Sequence, residues 1–313
     1  MTPPRDPRLL VVALGSRALR HATDTPDDWV DALEPRLGPL AELIAAGFRL
    51  VVTHGARPEI AEALHRVDLA RRAVPPLPLD RTIAAAQGML GYAIQQALAN
   101  LCRARGLATP VVALVTRAVV EAFDTGPGPL VAVGPPYPLT RARQLARASG
   151  GAIVEEDGLG RRAAPARRPL SFLETPVIAA LAAASIVPVA AGMGGVPVVV
   201  DGHGHRGVEA VVDPDLGAAV LATELRADRL LFLTGVEQAM VGFGTPRAIG
   251  IADLTLGDAR ALLDAGELAP ATIGAKVAAG LDFVEAGGRE AIITAPAFLR
   301  AALGGHAGTR ITA

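Results

Sequence analysis

Of the 30 lysine and arginine residues in this 313-residue chain, one alone is lysine: Lys276, in TIGAKVAAGL. An ammonium is a compact charge on a flexible stem, whereas a guanidinium is a planar fork of fixed geometry. A lysine kept in an otherwise arginine-writing chain marks a position that needs something a guanidinium does not supply. Three other stretches could receive an anion: ALGSRA (13–18), THGAR (53–57) and VAAGMGGVP (189–197). In each, an apolar run ends directly in a small-residue loop. In an open α/β sheet, ligands lie beyond the carboxyl ends of the strands, where backbone N–H groups face the ligand and glycine lets main chain approach closely. One such loop is an ordinary tight turn; three together point to a phosphate or carboxylate site.

The elements that must position these loops follow from periodicity. LLVVAL (9–14), FRLVVTH (48–54), PVVALVT (110–116), SIVPVAA (185–191), RLLFLT (229–234) and EAIIT (290–294) are nearly continuous apolar runs that alternate with helical segments. Strands of that kind are covered on both faces, which predicts a mostly parallel sheet between helix layers. A long helix is predicted over LDRTIAAAQGMLGYAIQQALANLCRARG, with Asp80 as N-cap, Gly106 as stop and a stripe of Ile83, Leu90, Ile94, Leu98 and Leu101. Gln87, Gly88, Gly91 and Tyr92 are unusual choices inside it. Two helical glycines cost roughly 1 kcal/mol each, which predicts close packing there. The stretch from about 123 to 172 is rich in Pro, Gly and Arg and reads as a lid or small protruding subdomain.

Composition excludes several classes. The formal net charge is −1 and no basic block occurs, which argues against nucleic acid or an anionic membrane surface as partner. Apolar residues are 51% of the chain and aromatic residues 3%, in keeping with small-residue helices on a sheet. The single cysteine, Cys102, sits in an apolar helical pattern and reads as an inert thiol. Residues 176–200 carry no charge, but Pro188, Gly192, Gly194, Gly195 and Pro197 break them into a helix, a strand, a Gly loop and another strand rather than a membrane span. The amino terminus lacks a signal-peptide pattern, so the expected location is cytoplasmic.

LVVALGSRAL, LVVTHGARPEI, PLDRTIAAAQGMLGYAIQQAL, VVALVTRAVV, AGMGGVPVV, GVEAVVDPDLGAAVLA, LLFLTGVEQA and LAPATIGAKVAA resemble, in order and spacing, the carbamate kinases of the amino acid kinase family, over about residues 9–312. The resemblance implies an α/β fold: an αβα sandwich with a mostly parallel open sheet of about eight strands, in a single domain. It implies an acid-substrate half (1–200) that includes the small subdomain, a half (201–313) that binds ATP or ADP with Mg2+, and a homodimer. Its chemistry is phosphoryl transfer to or from a carboxylate-type oxygen of carbamate, in which the protein supplies alignment and positive charge. Lys276 falls on the family's lysine beside the nucleotide phosphates. Asp213, in VVDPD, falls on the aspartate that organises the lysines, a helix N-cap being the plainer reading. Arg168 stands where the subdomain lysine is expected. Gly15, Ser16, Arg17, His54, Gly55, Arg57, Gly192, Met193, Gly194 and Gly195 occupy the acid-binding loops; Thr234, Gly235, Val236 and Thr272 fall on the nucleotide side.

The chain departs from the family pattern where chemistry is expected. Gly-Gly-Asn becomes Gly15-Ser16-Arg17, His-Gly-Asn-Gly-Pro becomes His54-Gly55-Ala56-Arg57-Pro58, a glycine becomes Met193, and the lysine after the organising aspartate becomes Pro214. Three readings follow. The chain is a divergent carbamate kinase; or a kinase for a more anionic small acid, whose extra group Arg17 and Arg57 grip bidentately; or an impaired homologue that binds a nucleotide or anion, or serves as a partner subunit.

Overall fold

The computed structural model describes residues 6–19, 29–121, 128–149, 151–156 and 158–313. Eight strands form the main sheet: β1 (Asp6–Leu14), β2 (Arg49–His54), β3 (Val111–Ala113), β4 (Val187–Val189), β5 (Ala227–Leu233), β6 (Asp253–Thr255), β7 (Glu290–Thr294) and β8 (Thr309–Thr312). Their order is β6-β8-β7-β5-β1-β2-β4-β3. Every pairing is parallel except that of β7 with β8. The six apolar runs all lie in this sheet, in the mostly parallel arrangement that their two-sided burial requires.

Alternation along β1 shows why. Leu10, Val12 and Leu14 enter one apolar cluster, while Leu9, Val11 and Ala13 enter the other. The first cluster is closed by helices α1 (Trp29–Ala45), α2 (Arg57–Ala70) and α3 (Leu79–Ala104). A short helix, α4 (Leu139–Ser149), belongs to the second sheet described below. The second cluster is closed by α5 (Thr175–Ala183), α6 (Pro214–Glu224), α7 (Leu256–Asp264) and α8 (Ala275–Glu285). A small residue lets α8 lie close to the sheet: Gly280 would put a Cβ 2.7 Å from Ile311 and 3.0 Å from Ala291.

Helix α3 buries Ile83, Leu90, Ile94, Leu98 and Cys102, each large aliphatic side chain contributing about 1.5–3 kcal/mol relative to exposure. Gly106 ends it in the left-handed conformation, at φ +70°. Its start differs from expectation. Asp80 is inside the first turn, and the cap position is Pro78; the backbone N–H of Leu79 instead donates to Glu209 Oε1 at 2.6 Å. Gly91 does pack closely, since a Cβ there would lie 3.1 Å from Ala113 Cβ, but Gly88 faces open space and Tyr92 is 63% exposed.

Residues 130–167 build a second, antiparallel sheet around the strand Leu159–Arg167, to which Leu130–Ala132, Tyr137–Pro138 and Ala152–Glu156 pair, and Val211–Val212 adds a parallel edge. Residues 122–127, 150 and 157, in or beside the stretch singled out in the sequence, lie outside the described residues. Tyr137 ties this sheet to α2: its hydroxyl lies 2.8 Å from His65 Nδ1 and donates to Asp68 Oδ2 at 3.1 Å. The uncharged stretch 176–200 folds as α5, β4, the glycine loop and the strand Val196–Asp201. Among the described residues, no helix is long and apolar enough to cross a membrane.

Candidate active site

The carboxyl ends of β5, β1, β2 and β4 lie side by side, so the loops that leave them meet. Gly15 N donates to Leu233 O at 2.8 Å, Gly55 N to Leu14 O at 2.9 Å, and Thr234 N to Thr294 O at 2.8 Å. Each loop is thereby stitched to the next strand. A cleft of about 1180 Å³ opens above them. Gly15, Ser16, Arg17, His54, Gly55 and Arg57 line it, as do Thr234, Gly235, Val236 and Thr272. Leu130, Gly134, Val154, Glu155 and Arg161 of the second sheet wall it from above.

Lys276 lies at the centre of this arrangement. It is the second residue of α8, which a π-helical turn over Pro270–Gly274 feeds into the cleft. Its side chain is 11% exposed, and its Nζ donates to both oxygens of Asp215, at 2.8 and 2.9 Å. The Phe232 ring lies below, 5.8 Å from Nζ to the centroid. A Cβ on Gly15 would come 3.8 Å from the same nitrogen, so the first loop passes directly beside the ammonium.

Asp215, which the sequence did not single out, is therefore the carboxylate that holds the lysine. The expected organiser, Asp213, lines the cleft but uses its Oδ1 to cap α6, accepting from Asp215 N at 2.9 Å and Leu216 N at 3.1 Å. The correction has a geometric cause. An N-cap side chain folds back onto its own helix, while a residue in the first helical turn projects sideways, here onto α8. The signal was present in the second aspartate of Asp213-Pro214-Asp215. Burial pushes the Asp215 carboxyl above the usual carboxylate range, opposed by the Lys276 ammonium; the Asp213 charge raises it further and Arg57 lowers it.

Arg168 is the second correction. It does not line the cleft; its guanidinium pairs with Asp282 at 2.6 Å and its side chain is 63% exposed. Asp282 stands six residues after Lys276 on α8, which leaves the two side chains about 120° apart around the helix axis, so Arg168 faces a different side of α8 from the one that carries Lys276.

The glycine loop is corrected in part. Gly192, Gly194 and Gly195 are needed for packing behind the cleft and do not line it. A Cβ on Gly192 would lie 2.5 Å from the His54 ring, and one on Gly194 (φ +76°) would lie 2.6 Å from Val212 Cγ1. The residue of this loop that faces the cleft is Met193, itself at φ 55°, whose Sδ accepts a hydrogen bond from Ala56 N at 2.9 Å. Gln87 is now accounted for: it clamps Thr116 N (2.9 Å) and Thr116 O (3.2 Å), and Thr116 Oγ1 accepts from Ala191 N at 2.7 Å, which fixes the start of the loop. Thr116 was not legible as a site residue because it touches only protein. His54 is buried, with its Nδ1 3.4 Å from Gly55 O, and burial lowers its pKa to about 4. It is a neutral wall residue, in line with a structural histidine.

A mostly parallel αβα sandwich, with a buried ammonium among glycine loops at the strand ends, defines the class of proteins that hold a phosphate-bearing ligand above the sheet. Comparison with known proteins gives the family. The Amino acid kinase family matches residues 8–295. The carbamate kinase of Pyrococcus horikoshii is 35% identical over 98% of this chain and 99% of its own, and the carbamate kinase-like protein YahI of Escherichia coli is 34% identical over 97% and 98%. Among solved structures, the carbamate kinase of Giardia lamblia bound to AMP-PNP superposes with a TM-score of 0.89 at 30% identity, covering 97% of this chain and 98% of that one. The chain belongs to the amino acid kinase family, on its carbamate kinase branch.

Proposed function

We propose that this chain is a phosphotransferase that moves the γ-phosphoryl group of ATP to a carboxylate-type oxygen of carbamate or a related small acid, and back from the product to ADP. The observation that carries the reading is the buried Lys276 ammonium, held by both oxygens of Asp215 beside the Gly15 loop. Such a charge, fixed in advance in a partly dry cleft, stabilises the oxygens of a phosphoryl group in transfer and costs no reorganisation. The acid side of the cleft takes the acceptor; Thr234, Gly235, Val236 and Thr272 take the nucleotide. The relatives named above, carbamate kinases of which one is bound to AMP-PNP, support the two classes of ligand.

Magnesium, which the family implies, would neutralise phosphate charge when bound. The carboxylates nearest the ammonium suit a metal carried in by the nucleotide: both oxygens of Asp215 are bound to Lys276, and Asp213 is capping α6. Among the described residues, no group of three or more His, Cys, Asp or Glu side chains is placed to hold an ion, and Mg2+ commonly binds through substrate phosphates with few protein ligands.

A second reading is favoured by Arg17 and Arg57, which both line the cleft: an acceptor with an additional anionic group. The homodimer belongs to the same proposal and is checked by light scattering. The deciding experiment is ADP release with carbamate and then with a panel of mono- and di-acids. Turnover with carbamate or another mono-acid supports the first reading, and turnover confined to di-acids the second. Heat stabilisation by MgATP with no turnover of any acid leaves a nucleotide-binding protein.

A further inference from the structure

Three positions far apart in sequence, Arg57, Met193 and Pro214, line one small cavity of about 70 Å³. It lies between the first turn of α2, the strand Leu130–Ala132 and the start of α6, and opens into the main cleft, with which it shares these three residues, Asp213 and the stretch Val131, Ala132 and Val133. The walls that the cleft does not share are Ile60, Ala166, Val211 and Val212. These offer carbon only, Met193 a thioether and Pro214 a ring without an N–H. Arg57 and Asp213 are the charged residues of the lining; a polar group set against the other side chains would lose its water and find little in return, a cost of roughly 1–3 kcal/mol. The wall is also firm, because Met193 Sδ is tied to Ala56 N at 2.9 Å. The space suits on the order of five water-sized groups.

We propose that the acceptor is a short aliphatic carboxylic acid, its carboxylate in the cleft on the Lys276 side and its three- to five-carbon body in this annex. The inference rests on the phosphotransferase reading and names its substrate class. In the step itself, a carboxylate oxygen forms a bond to the γ-phosphorus as the bond from that phosphorus to the β–γ bridging oxygen breaks. The electron pair leaves with ADP, and an acyl phosphate forms with no proton gained or lost. The annex acts through specificity: each methylene that enters an apolar pocket is worth about 10-fold or more in kcat/KM.

The test is ADP release, with hydroxylamine trapping of the acyl phosphate, across acetate, propionate, butyrate and pentanoate, with carbamate and succinate alongside. Calorimetric titration of the same acids in the presence of MgADP accompanies it. The expected result is kcat/KM that rises about tenfold or more per methylene from acetate until the annex is full. In Ala166→Leu, which narrows the annex from a wall that the main cleft does not share, the butyrate-to-acetate ratio is expected to fall at least tenfold. A flat or declining series with measurable turnover, or succinate as the best acceptor, overturns the annex while the phosphotransferase reading stands. No turnover with any acid overturns that reading; the annex then stands only if calorimetric affinity still rises with chain length, and falls if it does not.

Discussion

Lys276 and Asp215 form a closed ion pair, with the ammonium on both carboxylate oxygens at 2.8 and 2.9 Å, where α8 meets the first turn of α6. This contact joins the two helices that carry the charge of the site, so it acts on stability and on turnover together. Lys276→Met is expected to lower kcat about 10³-fold or more and to destabilise the fold by about 3–5 kcal/mol, because a buried carboxylate loses its partner. The double variant Lys276→Met with Asp215→Leu should recover most of that stability and none of the activity. Steady-state kinetics and denaturant titration of both variants check this; wild-type turnover in Lys276→Met would remove the residue from the reaction.

Arg168 provides the opposite expectation. Its pair with Asp282 is exposed, and such pairs contribute about 0–1 kcal/mol. Arg168→Ala should shift stability by less than about 1 kcal/mol and leave kcat/KM within about threefold. A tenfold drop in kcat would return this residue to the chemistry.

His54 makes stability depend on pH. Its pKa falls from the usual 6.5 to about 4 because burial penalises the imidazolium. Between those values the unfolded chain binds the proton and the folded chain does not, so stability declines as pH drops through this window and is unaffected above it. Once the pH is below both values, the full effect is roughly 3 kcal/mol. In His54→Gln, the stability difference between pH 7 and pH 4.5 should shrink by roughly 2 kcal/mol, read from urea titrations at the two pH values. An unchanged difference would mean that other groups produce it.

Gly217 tests the backing of the glycine loop. A Cβ there would lie 2.6 Å from Gly194 Cα, a backbone atom that cannot rotate away. Gly217→Ala should cost about 1–3 kcal/mol and raise KM for the acid, since the loop that carries Met193 must shift. Wild-type melting and KM together would show that α6 can retreat instead.

The sequence alone determined the fold class, because nearly continuous apolar runs such as LLVVAL and RLLFLT are satisfied by strands covered on both faces. It also determined that ALGSRA and THGAR end their strands at one edge of the sheet, and that Lys276 stands apart from every arginine. Tertiary structure decided which charges meet. Asp213 and Asp215 are two residues apart and chemically identical, and only the direction of α6 relative to α8 makes one a cap and the other the partner of the lysine. Arg168 reads as a site cation by position, yet the rotation of α8 offers it Asp282 on another face. The annex was equally hidden, because Arg57, Met193 and Pro214 share no periodicity and become neighbours only when three separate elements pack. Periodicity reports which face of one element is buried; contacts between elements depend on their relative orientation, which no local pattern encodes.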